Sequence, residues 1–201
     1  NRGYQSGVLD SKGYLIDVTA ACGPLLYRGG AFPVDYNLNA FVCVPEANLI
    51  KRNSVDFKNI QSKARQAVES KEFIASTDEG FRPVNLFIGP DGAMYIVDMH
   101  RGIIQHKAYI SQYLTEQIAI KKLDTLQNAG RILKVVSKTI KLNPIPDLSR
   151  ATNQELFALL SHPNGWLRDR AQELLIQKGD VTVVKDLLDL VKIENEFSTS
   201  I

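Results

Sequence analysis

Short runs rich in β-branched and aromatic residues, separated by glycines, fill residues 1–142. Runs of this kind predict β-strands. Three such runs lie between 22 and 52 and three between 82 and 136, so the chain contains a weak internal repeat. In the second copy, Gly89-Pro90-Asp91-Gly92 predicts a tight turn, because proline presets φ and glycine accepts a positive φ.

The spacing of these strands predicts blades of a β-propeller. Either 65–68 or 72–75 would supply a fourth, outer strand to the first copy. Four short antiparallel strands in each repeat of roughly 50 to 60 residues are typical of a propeller blade. Two blades cannot close a ring, so we expect the chain to hold the last blades of a longer protein.

Helical periodicity appears in two other places. Residues 108–122 suit a helix inserted into the second copy, where it would lie on a rim of the propeller. After a proline-containing linker over 143–150, residues 151–201 predict short antiparallel helices that begin with the capping box Thr152-Asn153-Gln154-Glu155. Such helices are typical of the start of a HEAT-like repeat stack. The predicted fold is therefore mainly β, with propeller blades over 1–142 and an α-helical C-terminal part.

Composition and charge exclude several functional classes. The chain has 24 Lys and Arg against 22 Asp and Glu, a net charge of +2, which does not favour nucleic acid as a partner. No apolar run approaches the roughly 18 residues that a transmembrane segment needs. The first residues lack a signal-peptide pattern, and a start at Asn1 rather than Met is expected of a segment from inside a longer protein.

The two cysteines, Cys22 and Cys43, are too few for a disulfide scaffold. Their spacing matches neither a zinc ribbon nor a Cys-x-x-Cys redox pair, and no His or carboxylate cluster has zinc spacing. Two interpretations stay open. Both thiols are buried as small apolar groups, or they form one bridge between neighbouring strands, which would imply an exported protein.

The densest polar group surrounds the second copy and consists of Thr77, Asp78, Arg82, Asn85, Asp98, His100, Arg101 and His106. Arg82 and Arg101 could bind carboxylates, phosphates or the acid groups of a quinone in bidentate fashion. His100 could act as a general base near neutral pH, oriented by Asp98. The alternative is structural: Asp98 closes the turn after its strand and pairs with Arg101.

Segments over 19–29, 39–45, 81–86, 89–98 and 159–169 carry a family resemblance. They resemble a bacterial group described as membrane-bound dehydrogenases, related to soluble glucose or sorbosone dehydrogenases that use pyrroloquinoline quinone (PQQ). The resemblance implies a six-bladed propeller followed by HEAT-like repeats, often with a c-type haem domain that would lie outside this chain. It also implies an exported protein, periplasmic or on the cell surface.

The same resemblance implies hydride transfer from a sugar or alcohol to the quinone, with electrons passed to the haem domain. The residues of this chain assigned to these roles are Arg82, Arg101 and Asn85 for cofactor binding and His100 and Asp98 for catalysis, whereas the relatives' catalytic histidine would lie on an earlier blade outside this chain. Two departures stand against this: Phe81-Arg82-Pro83 lacks the asparagine of the relatives' Arg-Asn-Pro-type motif, and His100 stands where the group commonly has an aromatic residue. The expected partners are the remaining blades, in this protein or another chain. The alternative function is a non-catalytic module that binds carbohydrate or protein in a cell-surface or periplasmic complex.

Overall fold

Two antiparallel sheets follow one another along the chain in the computed structural model, and helices form the C-terminal part. The structure describes residues 10, 11, 16, 18, 20–57, 62–142 and 144–197, without the side chains of 193–197. Residues 1–9 of the predicted first part thus lie outside the described residues. The elements are β1 (Cys22–Leu26), β2 (Ala40–Val44), β3 (Leu49–Asp56), β4 (Lys63–Gln66), β5 (Ile74–Ala75), β6 (Pro83–Ile88), β7 (Met94–Asp98), α1 (Gln112–Lys121), β8 (Arg131–Val135), α2 (Asn153–Leu159), α3 (Gly165–Lys178) and α4 (Val184–Phe197).

The first sheet has the strand order β1-β2-β3-β4, and β5 also pairs with β3. Strand β3 is long enough for both partners, because β5 pairs with its beginning and β4 with its end. A short 3-10 turn over Pro45–Ala47 and the left-handed backbone of Asn48, with φ of 57°, lead the chain from β2 directly into β3. Segments 65–68 and 72–75 were predicted as alternatives for one outer strand. They overlap β4 and β5, and both of these strands pair with β3.

The second sheet has the order β6-β7-β8. The predicted turn between β6 and β7 is confirmed: the Gly92 amide donates to the Gly89 carbonyl at 2.9 Å, and Gly92 has a φ of 79°. Helix α1 lies between β7 and β8 along the chain, and a 3-10 turn over Lys107–Tyr109 precedes it. The helix predicted over 108–122 is therefore confirmed, although its α-helical part is shorter.

The main core lies where the two sheets face each other. Its buried members are Tyr27, Phe32, Phe41, Cys43, Ile50, Phe81, Leu86, Met94 and Ile96. The two sheets approach closely at Gly23, where an added Cβ would lie 2.6 Å from the Asn85 Cα and from the Val84 carbonyl oxygen. A larger residue at this position would therefore push β1 away from β6.

A second, smaller core holds the C-terminal helices together, with Leu156, Ala171, Leu175 and Val183 buried. The predicted capping box at the start of α2 is confirmed, since Thr152 and Glu155 bond each other's backbone amides. Helix α3 ends at Gly179, which has a φ of 60°. Among the described helices, none has the length and apolar character needed to cross a membrane.

The prediction of propeller blades followed by HEAT-like helices is wrong. Over the described residues the strands form sheets of five and three members, and neither sheet closes or forms part of a ring of blades. Among the described residues the second sheet has three strands and no outer fourth strand, and helix α1 lies in the connection between β7 and β8. Strand periodicity specified most of the strands, but sheet closure depends on long-range packing that a local pattern does not encode.

Candidate functional site

The register of the second sheet brings several polar residues to one end of it. Pro83 at the start of β6 is opposite Asp98 at the end of β7, and Asp98 is opposite Arg131 at the start of β8. Asp78 and His100 lie in the loops that flank these ends. We call Asp78, Asp98, His100 and Arg131 the strand-end cluster.

Asp98 is the buried centre of this cluster, with 1% of its surface exposed. Its Oδ1 accepts hydrogen bonds from the backbone amides of Arg82 at 2.7 Å and His100 at 2.9 Å. Its Oδ2 accepts from Arg131 Nε at 2.8 Å. These bonds hold His100 in a left-handed conformation with φ of 41°. The carboxylate thus closes the turn after β7, as the structural alternative predicts, but its partner is Arg131 and not Arg101.

Arg82 is fully buried, and backbone carbonyls take up its guanidinium. Nη1 donates to the carbonyls of Pro45 at 2.7 Å and Glu46 at 3.4 Å. Nη2 donates to the Gly102 carbonyl at 3.1 Å, and Nε donates to the Arg101 carbonyl at 3.2 Å. A quinone could reach this guanidinium only by displacing those carbonyls, so the arrangement supports a structural role for Arg82.

His100 and Asp78 form the accessible part of the strand-end cluster. The Nε2 atom of His100 lies 3.3 Å from Asp78 Oδ2, and Arg131 Nη2 donates to the same oxygen at 3.3 Å. Burial acts to raise the pKa of Asp78, but hydrogen bonds from the Gly80 amide, His100 and Arg131 outweigh it and hold that pKa below its ordinary value. The imidazole is therefore oriented by Asp78, whereas the sequence predicted Asp98 for that role.

The other two predicted site residues are exposed. Asn85 lies further along β6, and its Oδ1 accepts from the Leu86 amide at 2.9 Å. Arg101 donates its backbone amide to the Gly80 carbonyl at 3.0 Å, which fixes the loop after β7 to the loop before β6. The structure thus brings together Asp98, His100 and the backbone of Arg82. The catalytic and cofactor-binding roles stay predictions.

A polar cavity of about 300 Å³ lies between α1 and the loop before β6, and the sequence analysis missed it. Its walls carry hydroxyl, amide, carboxylate and ammonium groups beside one aromatic ring. We call this the polar cavity, and its lining residues are Asn48, Ser76, Thr77, Glu79, Tyr113, Leu114, Gln117, Lys121 and Leu123. The run Ser76-Thr77-Asp78-Glu79, followed by a helix that lies between two strands of one sheet, is the sequence signal that could have indicated it.

One ion pair and one buried leucine fix the shape of the polar cavity. Lys121 Nζ lies 2.5 Å from Glu79 Oε1 and so joins the end of α1 to the opposite loop. Burial acts to raise the pKa of Glu79, but the Lys121 hydrogen bond and neighbouring positive charges hold it below its ordinary value. Leu114, with 2% of its surface exposed, anchors α1 against the body of the protein. The cavity is therefore lined by a compensated pair of charges.

Asn48 ties the cavity wall to the first sheet. Its Nδ2 donates to the carbonyls of Phe81 at 2.7 Å and Glu79 at 3.3 Å, and its own carbonyl accepts from the Ser76 amide at 3.0 Å. The loop before β6 is thus held at both ends, so the cavity is largely preformed. In the part of the chain that the structure describes, no group of three or more His, Cys, Asp or Glu residues could hold a metal ion.

Comparison with protein families gives one match. Residues 5–139 match the model of a family described as "Domain of unknown function (DUF7133)". This segment contains both sheets, the strand-end cluster and the polar cavity. Neither the curated proteins nor the solved structures contain a match to the chain.

Proposed function

The chain belongs to the DUF7133 family, and we propose that it is a binding module for a neutral carbohydrate. The observation that carries this proposal is the lining of the polar cavity. Ser76 and Thr77 offer hydroxyl groups and Gln117 offers an amide, which both donate and accept hydrogen bonds, while the Nδ2 of Asn48 donates to the protein's own carbonyls. A sugar presents a dense set of hydroxyl groups with the same dual capacity, whereas an apolar ligand would displace water from the cavity wall without replacing its hydrogen bonds.

Tyr113 supports a sugar more than another polar ligand. Its ring lines the cavity and 46% of its surface is exposed, so an apolar face is available at the entrance. An amphipathic tyrosine ring can pack against the C–H face of a sugar while its hydroxyl stays in water. A volume of about 300 Å³ is at the lower end of the range for ligand sites, which favours a small unit such as one terminal sugar.

The charge state of the cavity argues for a neutral ligand. Glu79 and Lys121 compensate each other across the cavity, so an anionic or cationic ligand would compete with an existing ion pair. A neutral sugar accepts from the ammonium and donates to the carboxylate without separating them. This proposal is the binding alternative predicted from the sequence, with carbohydrate as the ligand.

Oxidation of a sugar or alcohol by PQQ stays a prediction that rests on the family resemblance. The surroundings of Arg82 do not support it, because this side chain is fully buried and its guanidinium donates to backbone carbonyls. A periplasmic or cell-surface location and a haem domain outside this chain also stay predictions.

The test is calorimetric titration of the chain with glucose, galactose, mannose and their disaccharides. We expect at least one of these sugars to bind, and we expect Tyr113→Ala and Gln117→Ala to weaken that binding by about tenfold or more, equal to about 1.4 kcal/mol each. Tyr109→Ala is the matched control, since this tyrosine is 70% exposed and does not line the cavity. Absence of binding across the panel, or equal weakening by Tyr109→Ala, would contradict the proposal.

A further inference from the structure

The two cysteines, far apart in the sequence, are direct neighbours across the first sheet. Strands β1 and β2 are antiparallel, and their register places Cys22 opposite Cys43. Both thiols are free in the structure. Cys43 is fully buried in the main core, and Cys22 is half-buried and packs against the same core.

The register of this pair is compatible with a disulfide bond. Residues directly opposite in an antiparallel pair have Cα atoms about 4.5 or 5.5 Å apart, depending on the hydrogen-bonding position, and a disulfide accepts Cα separations of about 4.4–6.8 Å. Opposite residues also direct their side chains to the same face of a sheet. The contact of Cys22 with the core that contains Cys43 agrees with that direction.

We propose that Cys22 and Cys43 form an intramolecular disulfide between β1 and β2 when the protein meets a low-molecular-weight disulfide such as oxidised glutathione. The Cys22 thiolate attacks one sulfur of oxidised glutathione, and one glutathione thiolate leaves. The Cys43 thiolate then attacks the Cys22 sulfur of the mixed disulfide and releases the second glutathione. Two protein thiols are oxidised, one glutathione disulfide is reduced to two thiols, and the two protein protons pass to the leaving thiolates.

The order of attack follows from burial. Cys22 is half-buried and can meet a small disulfide in solution, whereas the buried Cys43 can meet only its neighbour. Burial, with a smaller contribution from the neighbouring Cys22, raises the pKa of Cys43 to about 12, which makes its thiolate scarce and the second step the slower one. A mixed disulfide on Cys22 is thus the expected intermediate.

The bridge would act beside a close contact between the two sheets. Strand β1 is at the edge of the first sheet, and its pairing with β2 is irregular between Cys22 and Leu25. Gly23, the next residue, contacts the backbone of β6 with no room for a side chain. A covalent bond at Cys22 would therefore hold the edge strand where it meets the second sheet, and it would close a loop of about 20 residues.

The experiment compares the reduced chain with the same chain incubated in oxidised glutathione, then quenched with an alkylating reagent under denaturing conditions. We expect the intact mass to fall by two hydrogens, with neither a glutathione adduct nor an alkyl group. We expect the thermal midpoint to rise by about 5–10 °C, because the cross-link constrains the unfolded chain. Two alkyl groups, or glutathione adducts that persist on both cysteines, would overturn the proposal.

Single variants identify the intermediate and serve as controls. Cys43→Ser should stop at one glutathione on Cys22, and Cys22→Ser should take up little or none because the buried Cys43 is inaccessible. Neither variant should gain thermal stability in oxidised glutathione. If Cys43→Ser fails to fold, Cys22→Ser and the wild-type mass still decide the question. Rapid glutathione uptake by Cys22→Ser would contradict the assigned order of attack.

Discussion

Arg82 is an interior cross-link between two loops. Arginine is seldom fully buried, and when it is, its donors have partners. Here the partners are backbone carbonyls of the turn after β2 and of the loop after β7, while the amide of the same residue donates to Asp98. Arg82 therefore lies beneath the strand-end cluster, where it is closed to solvent and holds the two loops next to Asp98 in place.

Replacement of Arg82 should lower stability in the absence of any cofactor. We expect Arg82→Ala to reduce the free energy of unfolding by at least about 3 kcal/mol, because buried carbonyls lose their donors and a cavity remains. Arg82→Lys keeps the charge, but a single ammonium cannot reach all the carbonyls, so its loss should be intermediate. Chemical denaturation followed by circular dichroism measures both.

Arg101→Ala is the control for this comparison. The Arg101 side chain is exposed and its backbone contacts remain in the variant, so the change should stay below about 0.5 kcal/mol. A stability of Arg82→Ala equal to that of Arg101→Ala would show that the carbonyl contacts contribute nothing.

At the residue scale, the sequence analysis predicted which residues meet at the strand ends more accurately than it predicted what each of them does. Asp98, His100 and Arg82 were predicted to meet at strand ends, and they do, because strand ends can be identified from local patterns. Arg131 was missed, since helix α1 separates β8 from β7 along the chain and the register between them is not visible in the sequence. Burial of Arg82 was also missed, because it depends on carbonyls from the first sheet.

At the scale of elements, the turn between β6 and β7 is fixed by one carboxylate. Asp91 Oδ1 accepts from the Ala93 amide at 3.1 Å, and Oδ2 accepts from the Tyr95 hydroxyl at 3.0 Å and lies 2.5 Å from Lys134 Nζ. Burial acts to raise the pKa of Asp91, but the bonds from Lys134, Ala93 and Tyr95 together hold it below its ordinary value. The turn residue thus also ties β8 to the β6–β7 hairpin.

This pKa shift predicts acid sensitivity. A carboxyl group whose pKa is lower in the folded state stabilises the protein above its unfolded pKa of about 4, and the contribution is lost as pH falls through the folded pKa. We expect the urea midpoint to fall between about pH 5 and pH 3, and this fall to be smaller in Asp91→Asn.

Lys134→Met is the matched variant, since it removes the ammonium and retains a long side chain. Loss of that partner should bring the pKa of Asp91 towards its ordinary value, so the acid-dependent fall should again be smaller than in the wild type. If the urea midpoint of both variants falls with pH as much as that of the wild type, other carboxylates cause the acid sensitivity.

Element boundaries were predictable where a local chemical signal marks them. The capping box of α2, the Gly179 end of α3 and the turn at 89–92 are examples, because each depends on a few neighbouring residues. The two short strands that pair with β3 were predicted only as alternatives. Their pairing depends on the length of β3, which provides separate sites for both.

At the scale of the whole molecule, the helical part is docked on the sheets through Asn164. Its Oδ1 caps α3 by accepting from the Trp166 amide at 3.0 Å. Its Nδ2 donates to the carbonyls of Gly89 at 3.1 Å and Pro90 at 3.0 Å, in the turn between β6 and β7. A second contact lies close by, where the Gly165 amide donates to the Arg28 carbonyl at 2.6 Å.

Asn164 therefore couples the helices to the sheets, and two variants separate its roles. Asn164→Asp keeps the cap but places a carboxylate against two carbonyls, whereas Asn164→Ala loses both the cap and the donors. We expect each to lower the free energy of unfolding by about 2–4 kcal/mol. Hydrogen exchange should accelerate at the first turn of α3 and at the β6–β7 turn in both variants.

Thr152→Ala is the control, because it removes the cap of α2 and leaves the docking contacts in place. Its faster exchange should be confined to the start of α2. If Asn164→Asp leaves exchange at the β6–β7 turn unchanged, the bonds to Gly89 and Pro90 do not couple the two parts.

The propeller prediction failed at this same scale. A repeated pattern of strands predicts how many strands form, but the faces that they bury determine how the sheets assemble. The faces of β1 and β2 are buried against β6, and the helices dock on a turn of the second sheet. Both contacts join residues that are distant in the sequence, where periodicity carries no information.

The hydroxyl of Tyr27 also joins the two sheets, and it has a consequence for how the chain folds. It donates to the Gly92 carbonyl at 2.7 Å across 65 residues of sequence. Most strand pairs within each sheet are close in sequence, so their contact order is low, whereas sheet-to-sheet contacts must overcome the entropy of closing a long loop. We therefore expect the rate of folding to be set by the encounter of residues 27 and 92 and not by the formation of either hairpin.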